Sequence, residues 1–160
     1  MERLIDHLEK GKTFFITVLL FILVITVFLQ IFTRFVLLKP LTWTEEVARF
    51  CFIWLIFMGA SINVRKRAHF ALELFSPKLP SGYRIFLRLL IHFLVGIFAL
   101  SLSILGWIFF KVGINRMSPT VEISMAYIYA AIPLSGLFML IYILEAIYKE
   151  IKRIMNTHPE

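Results

Sequence analysis

The apolar run TFFITVLLFILVITVFLQIFT, residues 13–33, decides the class of fold, because it contains no Asp, Glu, Lys or Arg. A helix of that length rises about 1.5 Å per residue and is therefore about 31 Å long, which matches the hydrocarbon thickness of a bilayer. Similar uncharged runs cover residues 50–64, 89–110 and 123–144. The chain is therefore predicted to be an integral membrane protein.

The composition supports this class and excludes others. Of the 160 residues, 60% are apolar and the mean hydropathy is +0.87, whereas soluble domains contain about 45–50% apolar residues. A chain of this size could not bury so much apolar surface in one water-soluble core, and it is too apolar to be disordered. The single cysteine, Cys51, excludes an intramolecular disulfide and a zinc site built from cysteines.

The second run needs an extension to cross the membrane, because its residues 50–64 would span only about 22 Å as a helix. Thr42 followed three residues later by Glu45 is a helix-start pattern, the capping box. A helix over residues 43–64 would be about 33 Å long, which is enough to cross. Glu45 and its neighbours then lie in the first two turns of a spanning helix.

We therefore predict an all-α integral membrane fold with four transmembrane helices in one domain over residues 1–160. A short amphipathic segment, residues 70–75, is predicted to lie in the membrane interface between helices 2 and 3. Pro133 falls inside the fourth run and should kink it. The predicted spans are residues 13–33, 43–64, 82–110 and 123–146.

The basic residues predict how the chain is oriented. Twelve of the 17 Lys and Arg residues lie in the N-terminal tail, in residues 65–88 and in the C-terminal tail, and five lie in the other segments. The positive-inside rule places both termini and residues 65–88 on the cytoplasmic side of the membrane. Because the basic residues flank apolar runs instead of forming one basic face, the net charge of +7 does not indicate a nucleic-acid partner.

The middles of the spans carry none of the ionisable side chains that transporters and pumps use for ion pathways. Among the four histidines only His92 lies in a span, so a haem held between two facing histidines is not favoured. We expect no catalytic residue, cofactor or metal ligand, and therefore no enzyme. The physical interpretation is an accessory or scaffold subunit, with an autonomous four-helix transporter or a membrane haem or quinone enzyme subunit as the alternatives.

The second helix carries a recognisable series of residues, with further matches in the loop Ser118-Pro119-Thr120 and in residues 129–136. The series comprises Trp43, Glu45, Glu46, Ala48, Arg49, Trp54, Gly59, Arg65 and His69. It resembles the pattern of the small membrane subunit of tripartite ATP-independent periplasmic (TRAP) transporters, the DctQ family.

The resemblance implies a three-part importer of an organic acid. A periplasmic substrate-binding protein captures the substrate, a large TRAP membrane subunit moves it with sodium, and the small subunit scaffolds the large one and helps to dock the binding protein. In that family the sodium sites belong to the large subunit. The substrate stays open between a dicarboxylate, a sialic acid, another sugar acid and a sulfonate.

Glu45, Glu46 and Arg49 can meet on one face of the second helix, because they are three and four residues apart. They form either a solvated pair at the helix head or a desolvated cluster that docks the large subunit. Either carboxylate is expected to serve as the partner of Arg49.

The other singled-out residues have structural or lipid-binding roles as their simplest interpretations. Trp43 is expected to anchor the helix in the aromatic belt, Trp54 to face lipid or a partner, and Gly59 to permit close helix contact. The candidate contacts to phospholipid headgroups are Arg65, Lys66, Arg67 and His69.

Overall fold

The computed structural model describes the backbone of residues 2–74 and 81–156, and the side chains of residues 9–65, 86–87 and 89–149. Four stretches of these helices are long and apolar enough to cross a membrane, which confirms the predicted four-span, all-α fold: Glu9–Phe35, Thr42–Arg65, Leu89–Ile114 and Ala126–Lys149. The helices are α1 Glu2–Phe35, α2 Thr42–Leu74, α3 Ser81–Ile114, α4 Ala126–Tyr129 and α5 Ala131–Asn156.

One part of the sequence prediction needs correction. Residues 70–74 are not a separate segment but continue α2, which runs without interruption to Leu74. The reason is that no proline or glycine lies between Arg65 and Leu74, so nothing in this stretch ends the helix. The last residue of the predicted segment, Phe75, lies outside the described residues, and the interfacial position of the segment stays a prediction.

The fourth span is interrupted where Pro133 was expected to act. The short helix α4 ends at Tyr129, and α5 begins at Ala131. Proline has no N–H to donate to the carbonyl four residues earlier, and its ring crowds that carbonyl, which here belongs to Tyr129. The break therefore lies one turn before the proline.

The chain divides into two compact units. The first unit comprises Met1–Gly59 and Trp107–Ala131, and the second comprises Ala60–Gly106 and Ile132–Glu160. The single-domain organisation over residues 1–160 stays a prediction.

In the first unit, α1 is buried along only a narrow stripe. Thr26 and Thr33, seven residues apart, are buried, and the Thr26 hydroxyl donates a hydrogen bond to the Ile22 carbonyl at 2.8 Å. Because this hydroxyl is satisfied by its own helix, it can be buried at little cost. Large apolar side chains at the same seven-residue spacing stay exposed elsewhere on α1, namely Phe14, Phe21, Phe28 and Phe35.

In the second unit, α3 and α5 pack at backbone distance. A Cβ added at Gly136 would lie 2.8 Å from both the carbonyl oxygen of Ala99 and the backbone nitrogen of Ser103. A Cβ at Gly106 would lie 2.7 Å from the nitrogen of Pro133. Small residues thus let the two helices approach, as is common between membrane helices. Next to this contact lies the core of Ala99, Met139 and Ile143.

A Gly136→Ala substitution should lower the free energy of unfolding by roughly 1–3 kcal/mol, because the new methyl group overpacks the contact with α3. Gly96→Ala is the matched control, since a Cβ there meets nothing within 4 Å and the change gains up to about 1 kcal/mol of helix propensity. Thermal unfolding of both variants in detergent measures the difference. Equal unfolding temperatures would show that α3 and α5 do not meet at Gly136.

Candidate functional site

The first feature of the site is a buried carboxylate at the head of α2. Glu46 is buried, and its Oε2 accepts hydrogen bonds from the backbone N–H groups of Thr120 at 3.2 Å and Val121 at 2.9 Å. The hydroxyl of Ser118, itself buried, donates a third hydrogen bond to the same oxygen. Glu46 therefore ties the beginning of α2 to the loop that follows α3.

The loop after α3 is folded so that its N–H groups converge on Glu46. Ser118 N–H donates to the Ile123 carbonyl at 2.9 Å and Met125 N–H donates to the Arg116 carbonyl at 2.8 Å, which closes a narrow hairpin. Glu122 turns the chain with a left-handed backbone, φ 56°. Successive N–H groups in such a turn form a concavity that binds anions, and here the anion is the chain's own carboxylate.

The second feature is an ion pair on the exposed side of the same helix turns. Arg49 Nη2 donates to Glu45 Oε1 at 2.9 Å, and the two side chains are 61% and 62% exposed. The structure thus divides the predicted cluster of three, because Glu46 bonds to the loop whereas Glu45 bonds to Arg49. The expectation that either carboxylate serves as the hydrogen-bond partner of Arg49 is wrong, because the Glu46 carboxylate bonds to Ser118, Thr120 and Val121 instead.

Trp54 is held within the chain. Its indole N–H donates to the carbonyl of Tyr127, within α4, at 3.2 Å, and its ring packs edge-on against that of Phe15 with ring centroids 5.7 Å apart. It thus links α2 to both α1 and α4 in the first unit. Trp43 is 41% exposed at the head of α2, and its role as an interfacial anchor stays a prediction. A Cβ at Gly59 would meet nothing within 4 Å.

The third feature is a buried ionic cluster in the second unit. Arg65 of α2 donates two parallel hydrogen bonds to Glu145 of α5, from Nε to Oε2 and from Nη2 to Oε1, both at 3.1 Å. Lys149 donates to Glu145 Oε1 at 2.8 Å, and the Arg65 guanidinium lies 5.6 Å from the centre of the Tyr142 ring. The Glu145 side chain is only 6% exposed and that of Arg65 13%. This bidentate pair joins α2 to α5 and fixes how the two side chains are oriented towards each other.

This cluster changes the expectation for Arg65, which was a candidate headgroup contact but lies largely buried against Glu145. The other three candidates, Lys66, Arg67 and His69, have side chains outside the described residues. Contact with phospholipid therefore stays a prediction.

Sequence reasoning missed Ser118 and Glu145 as partners. Both contacts join residues more than 70 positions apart, which helical periodicity does not connect. A signal was nevertheless present, because Arg65 and Glu145 end the second and fourth apolar runs. In a four-span topology these two ends lie on the same side of the membrane.

Among the described residues, no group of three or more His, Cys, Asp or Glu side chains is placed to hold a metal ion. The chemistry that these residues do show is that of fixed attachment, in which buried carboxylates accept hydrogen bonds from groups on other helices or loops.

Four apolar spanning helices with carboxylates bonded inside the chain define a multi-pass α-helical membrane protein. Within that class, residues 23–153 match the family described as tripartite ATP-independent periplasmic transporters, DctQ component. Since the match covers most of the chain, this protein belongs to the DctQ family of TRAP transporter small subunits, as the second helix predicted.

Relatives with assigned names agree with this family. The small permease protein of a sialic acid TRAP transporter from Vibrio cholerae is 29% identical over 128 residues, which cover 80% of this chain and 74% of that protein. A putative TRAP transporter small permease protein from Haemophilus influenzae is 24% identical over 139 residues, 87% of this chain and 86% of the relative.

A third relative is much longer. The sialic acid TRAP transporter permease protein of Haemophilus influenzae is 27% identical over 144 residues, which cover 89% of this chain but only 23% of that permease. All three relatives are transporter permease proteins and not enzymes. The enzyme alternative is thereby set aside.

Replacing Glu46 by Gln should destabilise the first unit, because an amide places an N–H₂ or a weaker acceptor where three donors converge. Glu45→Gln is the matched control on the neighbouring residue, because the Glu45 carboxylate bonds to Arg49 of its own helix and not to the loop. We expect a clearly lower unfolding temperature in detergent for Glu46→Gln than for Glu45→Gln. The reverse order would show that the loop does not depend on Glu46.

Removing Arg65 should cost roughly 3–5 kcal/mol of unfolding free energy, since it leaves Glu145 buried with less countercharge. Arg65→Ala, Glu145→Ala and the double variant form a double-mutant cycle, measured by unfolding in detergent. The double variant should lose clearly less than the sum of the two single losses. Additive losses would contradict a direct interaction between the two side chains.

Proposed function

We propose that this chain is the small membrane subunit of a sodium-coupled, substrate-binding-protein-dependent TRAP transporter that imports an organic acid. Its role is to scaffold the large membrane subunit, and sodium and substrate bind to other components. Two relatives bear names of sialic acid transporters, which makes a sialic acid or another sugar acid the first substrate class to test.

The observation that supports the scaffold role is that the buried carboxylates Glu46 and Glu145 are bonded to groups of the chain itself. Glu46 accepts three hydrogen bonds from the loop after α3, and Glu145 accepts from Arg65 and Lys149. Groups held in this way act as fixed attachments between helices and loops. A static frame of this kind is what a moving transport domain requires.

The long relative supports a partnership with a larger permease. In that relative, the region similar to this chain makes up about a quarter of a single permease protein. A similar segment is therefore part of a larger membrane protein. The exposed apolar sides of α1 and α3 provide surface for lipid. Only 6% of the most apolar 18 residues of α1, and 11% of those of α3, are buried inside the chain.

We further propose that the protein lies in the bacterial inner membrane with both termini in the cytoplasm. The excess of basic residues in the tails and in residues 65–88 supports this orientation. The loop around Ser118 and the head of α2, which Glu46 joins, would then face the periplasm. That side is where the substrate-binding protein docks.

Reconstitution into liposomes tests the proposal. We expect no sodium-driven uptake of a sugar acid by this chain alone. Uptake should require the large subunit and the periplasmic binding protein as well, and the small and large subunits should co-purify from detergent. The matched control is the large subunit with the binding protein but without this chain, which should transport poorly. Robust uptake by this chain alone would overturn the scaffold role and favour the autonomous transporter.

A further inference from the structure

One face of α2 is exposed along a narrow stripe in the first unit. Glu45, Arg49, Phe52 and Ile56 follow each other at spacings of four, three and four residues, which places them on one side of a helix. The two charged side chains are 62% and 61% exposed, Phe52 is 53% exposed and Ile56 is 49% exposed. Gly59 continues the stripe three residues further on.

The charged end of this stripe is poorly suited to lipid. The spanning part of α2, Thr42–Arg65, is 24 residues or about 36 Å long. Arg49 is the eighth residue of this span and lies about 11 Å along the helix axis from Thr42. Charged side chains within a membrane-spanning helix usually face protein or water. An occupant with polar groups therefore fits the Glu45–Arg49 pair better than acyl chains do.

The exposed faces of α1 and α3 differ from this stripe. On α1, the hydroxyls of Thr13 and Thr17 donate to carbonyls one turn earlier at 2.8 Å. On α3, Ser101 does the same at 2.9 Å, and its exposed neighbour Phe98 is apolar. Because these hydroxyls are satisfied by their own helices, such surfaces can face lipid as they are.

Gly59 gives the stripe a place for close approach. An added Cβ there would meet nothing within 4 Å, so the helix backbone is open to a neighbour from outside the chain. Glycines of this kind let a second membrane helix approach to backbone distance. The stripe thus combines a polar end, an apolar middle and an open glycine.

We propose that this α2 face, Glu45, Arg49, Phe52, Ile56 and Gly59, is the surface that docks the large membrane subunit. A helix of that subunit crosses at Gly59, and a polar group of it lies beside the Glu45–Arg49 pair. This assignment rests on the proposed function, because it takes the large subunit as the partner.

A pair of glycine substitutions tests the docking face. Gly59→Leu should fold normally but reduce the amount of co-purified large subunit by about tenfold, because the leucine side chain holds the partner helix away. Gly96→Leu on α3 is the matched control, since its Cβ position is equally open, and it should bind like the unchanged chain. Equal binding by both variants, or loss with Gly96→Leu alone, would overturn the assignment.

A photo-crosslinking residue at Phe52 gives a second measurement that does not depend on the glycine variants. We expect a crosslink to the large subunit from position 52 and none from Phe98 of α3, which is similarly exposed at 57%. Crosslinks from position 52 only to lipid or to a second copy of this chain would overturn the assignment. If the unchanged chain fails to bind any large subunit, the proposed function itself fails, which is a distinguishable result.

Discussion

A buried carboxylate in a membrane protein must receive hydrogen bonds or a countercharge from the protein itself. This constraint determines what α2 contacts near its beginning, at Glu46, and further along, at Arg65. Because water cannot donate hydrogen bonds within the hydrocarbon, each buried carboxylate needs donor groups of the protein around it. Glu46 accepts hydrogen bonds from the N–H groups of a hairpin that converge on it. Glu145 pairs with the guanidinium of Arg65 and the ammonium group of Lys149. These two residues join α2 to the loop after α3 and to α5.

Between the charged ends, contact between helices depends on the absence of side chains. In lipid there is little hydrophobic gain in bringing two apolar helices together, so close backbone packing supplies the attraction. Gly136 and Ala99 make that packing available between α5 and α3 in the second unit. In the first unit Gly113 has the same role, because a Cβ there would lie 2.8 Å from the nitrogen of Ala126. The acids determine which elements meet, and the small residues determine how closely.

The four spans and the interruption near Pro133 could be predicted from sequence, because length, hydropathy and proline geometry are local properties. Helix α2 extends beyond the predicted end at Val64, because the Arg and Lys residues that follow favour helical structure even where they leave the membrane. The division of the Glu45, Glu46 and Arg49 cluster could not be predicted. Spacing shows which side chains can meet on one helix, but the choice of Glu46 for the hairpin depends on a loop more than 70 residues away.

The contrast in burial between the first and last spans has a consequence for biosynthesis. The α1 span is the most hydrophobic of the four, and only 6% of its most apolar 18 residues are buried, whereas 44% of those in the span over α4 and α5 are buried. A span that needs no protein neighbours can leave the translocation channel and settle in lipid as soon as it is made. The span over α4 and α5 enters the membrane after α2 and α3, against which it packs, have been made. The order of synthesis thus runs from the helix that is self-sufficient to the one that depends on the others.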